Sequence, residues 1–144
     1  MPYRNKYIAQ KITEKRKEGE NIMVKEILIV DDQLGIRTLL SDILTNEGYG
    51  VSTAGTGKEA LDKALANYYD LIILDYKLPF FNGVEVLQQL QQNQIEIPAI
   101  LISGLINDEV KKTSAGLIQK VMAKPFNVKD IQQSVKLILT DREV

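Results

Sequence analysis

Ile27-Leu28-Ile29-Val30-Asp31-Asp32 is a short apolar run that ends on two carboxylates, and Leu71-Ile72-Ile73-Leu74-Asp75 has the same form. Both runs are rich in Ile, Leu and Val, lack the polar alternation of a half-solvated strand, and are too short for a helix. They fit strands buried on both faces, as in a parallel sheet. Ala99 to Ile102 followed by Ser103, and Val121 to Ala123 followed by Lys124, extend the set; Val51 to Ala54 is a weaker member, expected at an edge.

Helical patterns lie between these runs. Ile36, Leu39, Leu40, Ile43 and Leu44 recur at helical spacing, and Gly48 is placed to stop that helix. Thr56 with Glu59 has the form of a capping box ahead of Ala60, Leu61, Ala64 and Leu65. Asn82 with Glu85 opens a third helix, with Val84, Leu87 and Gln91 on one face. Asn107-Asp108-Glu109 opens a fourth, and Asn127 a fifth, in which Val128, Ile131, Val135 and Ile138 point inward. Five β-α units with right-handed crossovers give an α/β protein with a doubly wound, five-stranded parallel sheet. Ligands of such sheets bind beyond the carboxyl ends of the strands.

Composition narrows the chemistry. The chain of 144 residues has no Cys and no His, which excludes thiolate and imidazole nucleophiles and the usual zinc ligands. A net charge of −1 gives no basic footprint for nucleic acid, so a nucleic-acid partner is not expected. No apolar run approaches the roughly eighteen residues that span a bilayer, and there is no secretory signal pattern, so a cytoplasmic, membrane-free protein is expected. Residues 1–22 hold six Lys or Arg against three acids, whereas the remainder holds twelve against sixteen. That shift marks a boundary at Met23: a basic N-terminal extension over 1–22, flexible or partly helical, then one domain over 23–144. Lys17-Glu18-Gly19 can be encoded by a purine-rich ribosome-binding sequence, so the extension is also readable as translated leader ahead of a start at Met23.

Four of the five strands end in a charged or reactive group: Asp31 and Asp32, Asp75, Ser103 and Lys124. A lone strand-end Asp is most simply a cap for the next helix. Three carboxylates, a hydroxyl and a lysine at matching ends make a site. Crowded carboxylates repel unless a cation neutralises them, and oxygen ligands without nitrogen or sulfur favour Mg²⁺. A carboxylate beside Mg²⁺ and a lysine is suited to attack a phosphoryl group, and the implied reaction is formation and loss of an aspartyl phosphate.

Ile29-Val30-Asp31-Asp32, Leu74-Asp75, Pro79, Gly83, Ile102-Ser103-Gly104 and Lys124-Pro125-Phe126 together resemble the receiver domain of two-component response regulators, over essentially all of 23–144. The resemblance implies a flavodoxin-like (CheY-like) sheet in the order 2-1-3-4-5. It implies Asp75 as phosphoacceptor, Asp32 as a direct Mg²⁺ ligand, Asp31 acting through a metal-bound water, and the Lys77 carbonyl as a further ligand. Ser103 and Lys124 would contact phosphoryl oxygens, and Lys124-Pro125 would be cis. The stretch Ile29 to Arg37, with Glu47-Gly48-Tyr49, is similar to the stand-alone receiver of the sporulation phosphorelay. That likeness implies a histidine kinase as phosphodonor, a histidine phosphotransfer protein as onward partner, and Gln33, Gly35 and Ile36 on the docking surface; for Ile36 the alternative is plain helix packing.

Several positions depart from the family pattern. Val121 stands where many receivers carry an aromatic switch residue, Ser103 replaces threonine, and Asn82 stands where Asp often precedes the glycine. Gly116 to Lys124 is one residue longer than usual, and the Phe80-Phe81 rings are expected to be partly buried. Gly55-Thr56-Gly57-Lys58 lacks the first glycine and the Ser or Thr of a phosphate loop, and the glutamines over 88–94 read as a solvated helix face. With the last helix ending near Thr140, a single-domain regulator is expected, catalysing its own phosphorylation and dephosphorylation. Alternatives are a terminal CheY-like adaptor, a pseudo-receiver, or a small-molecule phosphatase with an Asp nucleophile. For the last, Gln33 stands where such phosphatases place a second Asp.

Overall fold

The computed structural model describes residues 24–104 and 116–141. β1 (Glu26–Val30), β2 (Gly50–Ala54), β3 (Leu71–Asp75), β4 (Ala99–Ser103) and β5 (Lys120–Ala123) form a parallel sheet in the order β2-β1-β3-β4-β5, with the weak second strand at an edge as expected. The helices among the described residues are α1 (Leu34–Asn46), α2 (Gly57–Ala66), α3 (Gly83–Gln92) and α4 (Val128–Asp141). The extension over 1–22 and the helix expected from Asn107 lie outside the described residues, and no helix within them is long and apolar enough to cross a membrane.

Alternate residues of a strand point to opposite faces, and the core divides accordingly. Leu28, Val30, Ile72, Leu74 and Leu101 meet Ala60 and Ala64 of α2 and Val84, Leu87 and Leu90 of α3. Ile27, Ile29, Ile73, Ile100 and Ile102 meet Leu40 and Leu44 of α1 and Ile131, Val135 and Leu139 of α4. Every residue of β3 and β4 is buried, which is why those runs show no alternation. Each fully buried Ile or Leu contributes about 1.5–3 kcal/mol, so the two faces hold the strand ends in fixed register.

The helical stripes are narrower than their spacing suggests. Leu39 and Leu65 are each 43% exposed and Val128 is 37% exposed, because each lies at the flank of a face centred on other residues. On α3, Gln91 is exposed while Val86, which packs toward α2 at Gly57, is fully buried. α1 ends as expected at Gly48 (φ +95°): the Gly48 N–H donates to Thr45 O at 3.0 Å and the Tyr49 N–H to Leu44 O at 3.2 Å. The Asn82–Glu85 capping box is complete. At α2 only half forms: Thr56 Oγ1 accepts the Glu59 N–H at 3.1 Å, but the Glu59 carboxylate takes the Gly55 N–H at 2.7 Å instead.

Candidate functional site

Register brings the polar strand ends together. Val30 pairs with Leu74, so Asp31 follows β1 beside Asp75 of β3; Asp75 pairs with Ile102 and Ser103 with Ala123, leaving Lys124 just past β5. One carboxylate oxygen from each of Asp31, Asp32 and Asp75 lies within 4.8 Å of the others. Lys124 Nζ sits 2.8 Å from Asp75 Oδ2 and 3.3 Å from Asp31 Oδ2. The second oxygen of each buried acid is held by its own loop: Asp31 Oδ1 accepts the Gln33 N–H at 2.8 Å, and Asp75 Oδ1 accepts the Lys77 N–H at 3.2 Å. Asp31, Asp75 and Ser103 are buried and Asp32 is exposed, so the cluster opens to solvent on the Asp32 side.

Burial is the largest influence on Asp31 and pushes its carboxyl above the usual range; the Gln33 N–H and Lys124 oppose this, and the Asp75 charge adds to it. Burial alone would lower the Lys124 ammonium, but its hydrogen bond to Asp75 and the charges of Asp31 and Asp75 outweigh that, and the net shift is upward. The donor set is all oxygen, three carboxylates with a lysine against them, which fits a hard divalent cation and not a soft one.

The loops that carry these residues have local reasons for their paths. A Cβ on Gly83 would lie 2.5 Å from the Asp75 carbonyl oxygen, so the start of α3 packs onto the end of β3 only with glycine there. The Gly83 N–H donates to Tyr76 O at 2.7 Å and closes this contact. Lys124-Pro125 is cis, as the resemblance implied. Gln33 and Gly35 are exposed, whereas Ile36 is half-buried against the α1 face of the core. The two rings of the β3–α3 loop part company: Phe81 packs partly on the core, but Phe80 is 93% exposed. Phe80 has φ +71°, and the Phe81 N–H closes onto Pro79 O at 2.8 Å, a three-residue turn that throws the Phe80 ring outward.

Two polar residues escaped the sequence reading. Arg37 Nη1 donates to the Asp31 main-chain carbonyl at 2.8 Å; an Arg one turn into the helix behind an acidic strand end was the available signal. Asp70, also buried, accepts the Glu26 N–H at 2.8 Å at the opposite edge of the sheet and so caps β1 away from the site.

The sequence model of the family described as response regulator receiver domain matches residues 27–136. The chain belongs to the response regulator receiver family. The alkaline phosphatase synthesis transcriptional regulatory protein PhoP of Bacillus subtilis is 40% identical to this receiver over 125 residues, which are 85% of this chain and 51% of that protein. The response regulator ArlR of Staphylococcus aureus is 38% identical over 116 residues, 79% of this chain and 52% of that one. The chain thus spans about half the length of these curated relatives. Among solved structures, the CheY-like receiver domain protein of Methanospirillum hungatei has a TM-score of 0.79 at 31% identity, covering 83% of this receiver and 97% of that chain. The response regulator TrrA of Thermotoga maritima, solved with Mg²⁺ and BeF, has a TM-score of 0.73 at 34% identity, covering 81% and 100%.

Proposed function

We propose that Asp75 accepts, in the cytoplasm, a phosphoryl group from the phosphohistidine of a histidine kinase. The observation that carries this reading is the placement of one buried carboxylate, Asp75, between two further acids and a lysine that already contacts it at 2.8 Å. An Asp75 carboxylate oxygen attacks phosphorus, the phosphorus–nitrogen bond of the donor breaks, and the bond's electron pair leaves with the imidazole, which takes up a proton. Lys124 Nζ exchanges its carboxylate contact for a phosphoryl oxygen, and the Ser103 hydroxyl donates to another. Asp31, Asp32, Asp75 and the Lys77 carbonyl are the groups that would hold Mg²⁺. When bound, that ion supplies positive charge against the transferring oxygens. Reversal of the transfer onto a second histidine, or attack by water, returns Asp75 to its free form.

Two readings differ in the fate of the phosphoryl group once Asp75 carries it. The likeness of residues 29–37 to the sporulation phosphorelay receiver supports a relay, with Gln33, Gly35 and Ile36 docking a histidine phosphotransfer partner. The relatives' length supports another: this receiver as the phosphorylated part of a longer regulator, in which a further domain would contact nucleic acid. Kinase-labelled protein chased with a histidine phosphotransfer protein separates them. Rapid loss of label from Asp75 with matching gain on the histidine is the relay result; label retained on Asp75 contradicts it and favours the regulator or a terminal adaptor. Gly35 and Ile36 substitutions that slow this transfer but leave labelling by acetyl phosphate intact would assign those residues to docking.

A further inference from the structure

Arg37 lies in the first turn of α1, and its side chain turns back to the strand the helix follows, with Nη1 donating to the Asp31 carbonyl at 2.8 Å. That carbonyl belongs to the peptide joining Asp31 to Asp32. The neighbouring groups are otherwise engaged: the Asp31 N–H donates to Ala54 O at 3.1 Å, and Asp31 Oδ1 takes the Gln33 N–H. Among the described residues, Arg37 is therefore the side chain that tethers the Asp31–Asp32 peptide. The ion pairs of Asp31 and Asp75 go to Lys124, so Arg37 acts on the backbone of the site and not as a counter-ion within it.

The same end of the guanidinium rests against the turn that follows β2. A Cβ on Gly55 would lie 3.1 Å from Nη1 and 3.5 Å from Cζ, so glycine there leaves the room that Arg37 fills. Gly55 is itself fixed, because its N–H donates to Glu59 Oε1 at 2.7 Å, and Glu59 pairs with Lys63 at 3.3 Å. The Arg37 guanidinium thus spans two loops, one of which carries the acids while the other is anchored on α2. Asp32 is the acid that depends on such a span. It is exposed, so packing constrains it less than the buried Asp31 and Asp75 and its placement rests more on its backbone.

We infer that Arg37 is a positioning residue for the acidic site: by holding the Asp31–Asp32 peptide against the β2–α2 turn, it aims the Asp32 carboxylate at Asp31 and Asp75 and so sets the affinity for a divalent cation. This rests on the reading of the three carboxylates as a Mg²⁺ site. Groups that orient metal ligands from behind affect metal affinity by about 10–100-fold when removed.

The test is calorimetric titration of the full chain with MgCl₂, with melting temperatures recorded in chelator. Arg37→Ala should raise the Mg²⁺ dissociation constant about tenfold or more, and Arg37→Lys, which keeps one cationic donor, should recover part of the loss. In the Asp32→Ala background, Arg37→Ala should add little, because the residue it aims is gone. Gly55→Ala, which crowds Nη1 itself and so disturbs its hydrogen bond to the Asp31 carbonyl, should weaken Mg²⁺ in the same direction and serves if Arg37→Ala folds poorly. A wild-type dissociation constant in Arg37→Ala and Gly55→Ala, with only the chelator melting temperature lowered, would reduce Arg37 to packing and overturn the inference. An equal loss with and without Asp32 would also overturn it. Absence of Mg²⁺ binding by the wild-type chain would instead remove the metal-site reading itself, and the inference with it.

Discussion

Gly83→Ala places a methyl 2.5 Å from the Asp75 carbonyl oxygen and 2.9 Å from Leu101 Cδ1. The Leu101 side chain can give way, but the carbonyl is main chain at the end of β3 and its neighbours are buried. Overpacking of this kind costs about 1–3 kcal/mol. Loosening the 2.7 Å hydrogen bond from the Gly83 N–H to Tyr76 O removes about 1 kcal/mol more, and the lower unfolded-state entropy of alanine returns a similar amount. The net loss of about 1–3 kcal/mol corresponds to a melting temperature lower by about 3–10 °C for a chain of this size. Because the displaced carbonyl is that of Asp75, labelling by acetyl phosphate should also slow at temperatures where the variant is fully folded. Thermal unfolding by circular dichroism gives the first quantity and timed intact mass the second. Gly35→Ala is the control, since a Cβ there meets nothing within 4 Å and should leave the melting temperature unchanged or slightly raised. A Gly83→Ala protein as stable as wild type would refute the claim that the α3 start and the Asp75 strand end are locked together.

Mg²⁺ at about ten times its dissociation constant should stabilise the fold by about 1.4 kcal/mol, a rise of a few degrees by differential scanning fluorimetry, and Asp32→Ala should lose most of that shift. Lys124→Ala should still take phosphate from acetyl phosphate but transfer poorly to or from its protein partner, because the lysine contacts the phosphoryl oxygen and does not attack; wild-type transfer efficiency would exclude that role. Deleting residues 1–22 should leave the melting temperature and labelling unchanged, and an unstable truncated protein would show that the extension contributes to the fold.

The strands were legible because β3 and β4 are covered on both faces, which leaves uninterrupted apolar runs with the reactive residue directly after them. Parallel pairing then brings Asp31, Asp75, Ser103 and Lys124 to one edge with no further information needed. Helix faces were legible only at their centres. Leu40 and Leu44 are buried while Leu39 is half-solvated, a distinction of one helical step that depends on how α1 leans on the sheet. Glu59 was recognised as a cap partner, but which N–H it takes depends on the turn at Gly55. Arg37 was legible only by its place one turn into the helix behind the acids, because its contact is to a main-chain carbonyl and leaves no charge-pairing pattern in the sequence. Phe80 escaped because a positive φ in a bulky residue has no compositional signal, and the turn alone decides that its ring faces water.

The central claim is that Asp75 is the single phosphoacceptor, and intact-mass measurement after incubation with acetyl phosphate and Mg²⁺ tests it most directly. One labile phosphoryl adduct on wild type, abolished by chelator and absent from Asp75→Ala, is the result expected. An adduct of equal occupancy on Asp75→Ala, or none on the wild-type chain with Mg²⁺ present, would contradict it.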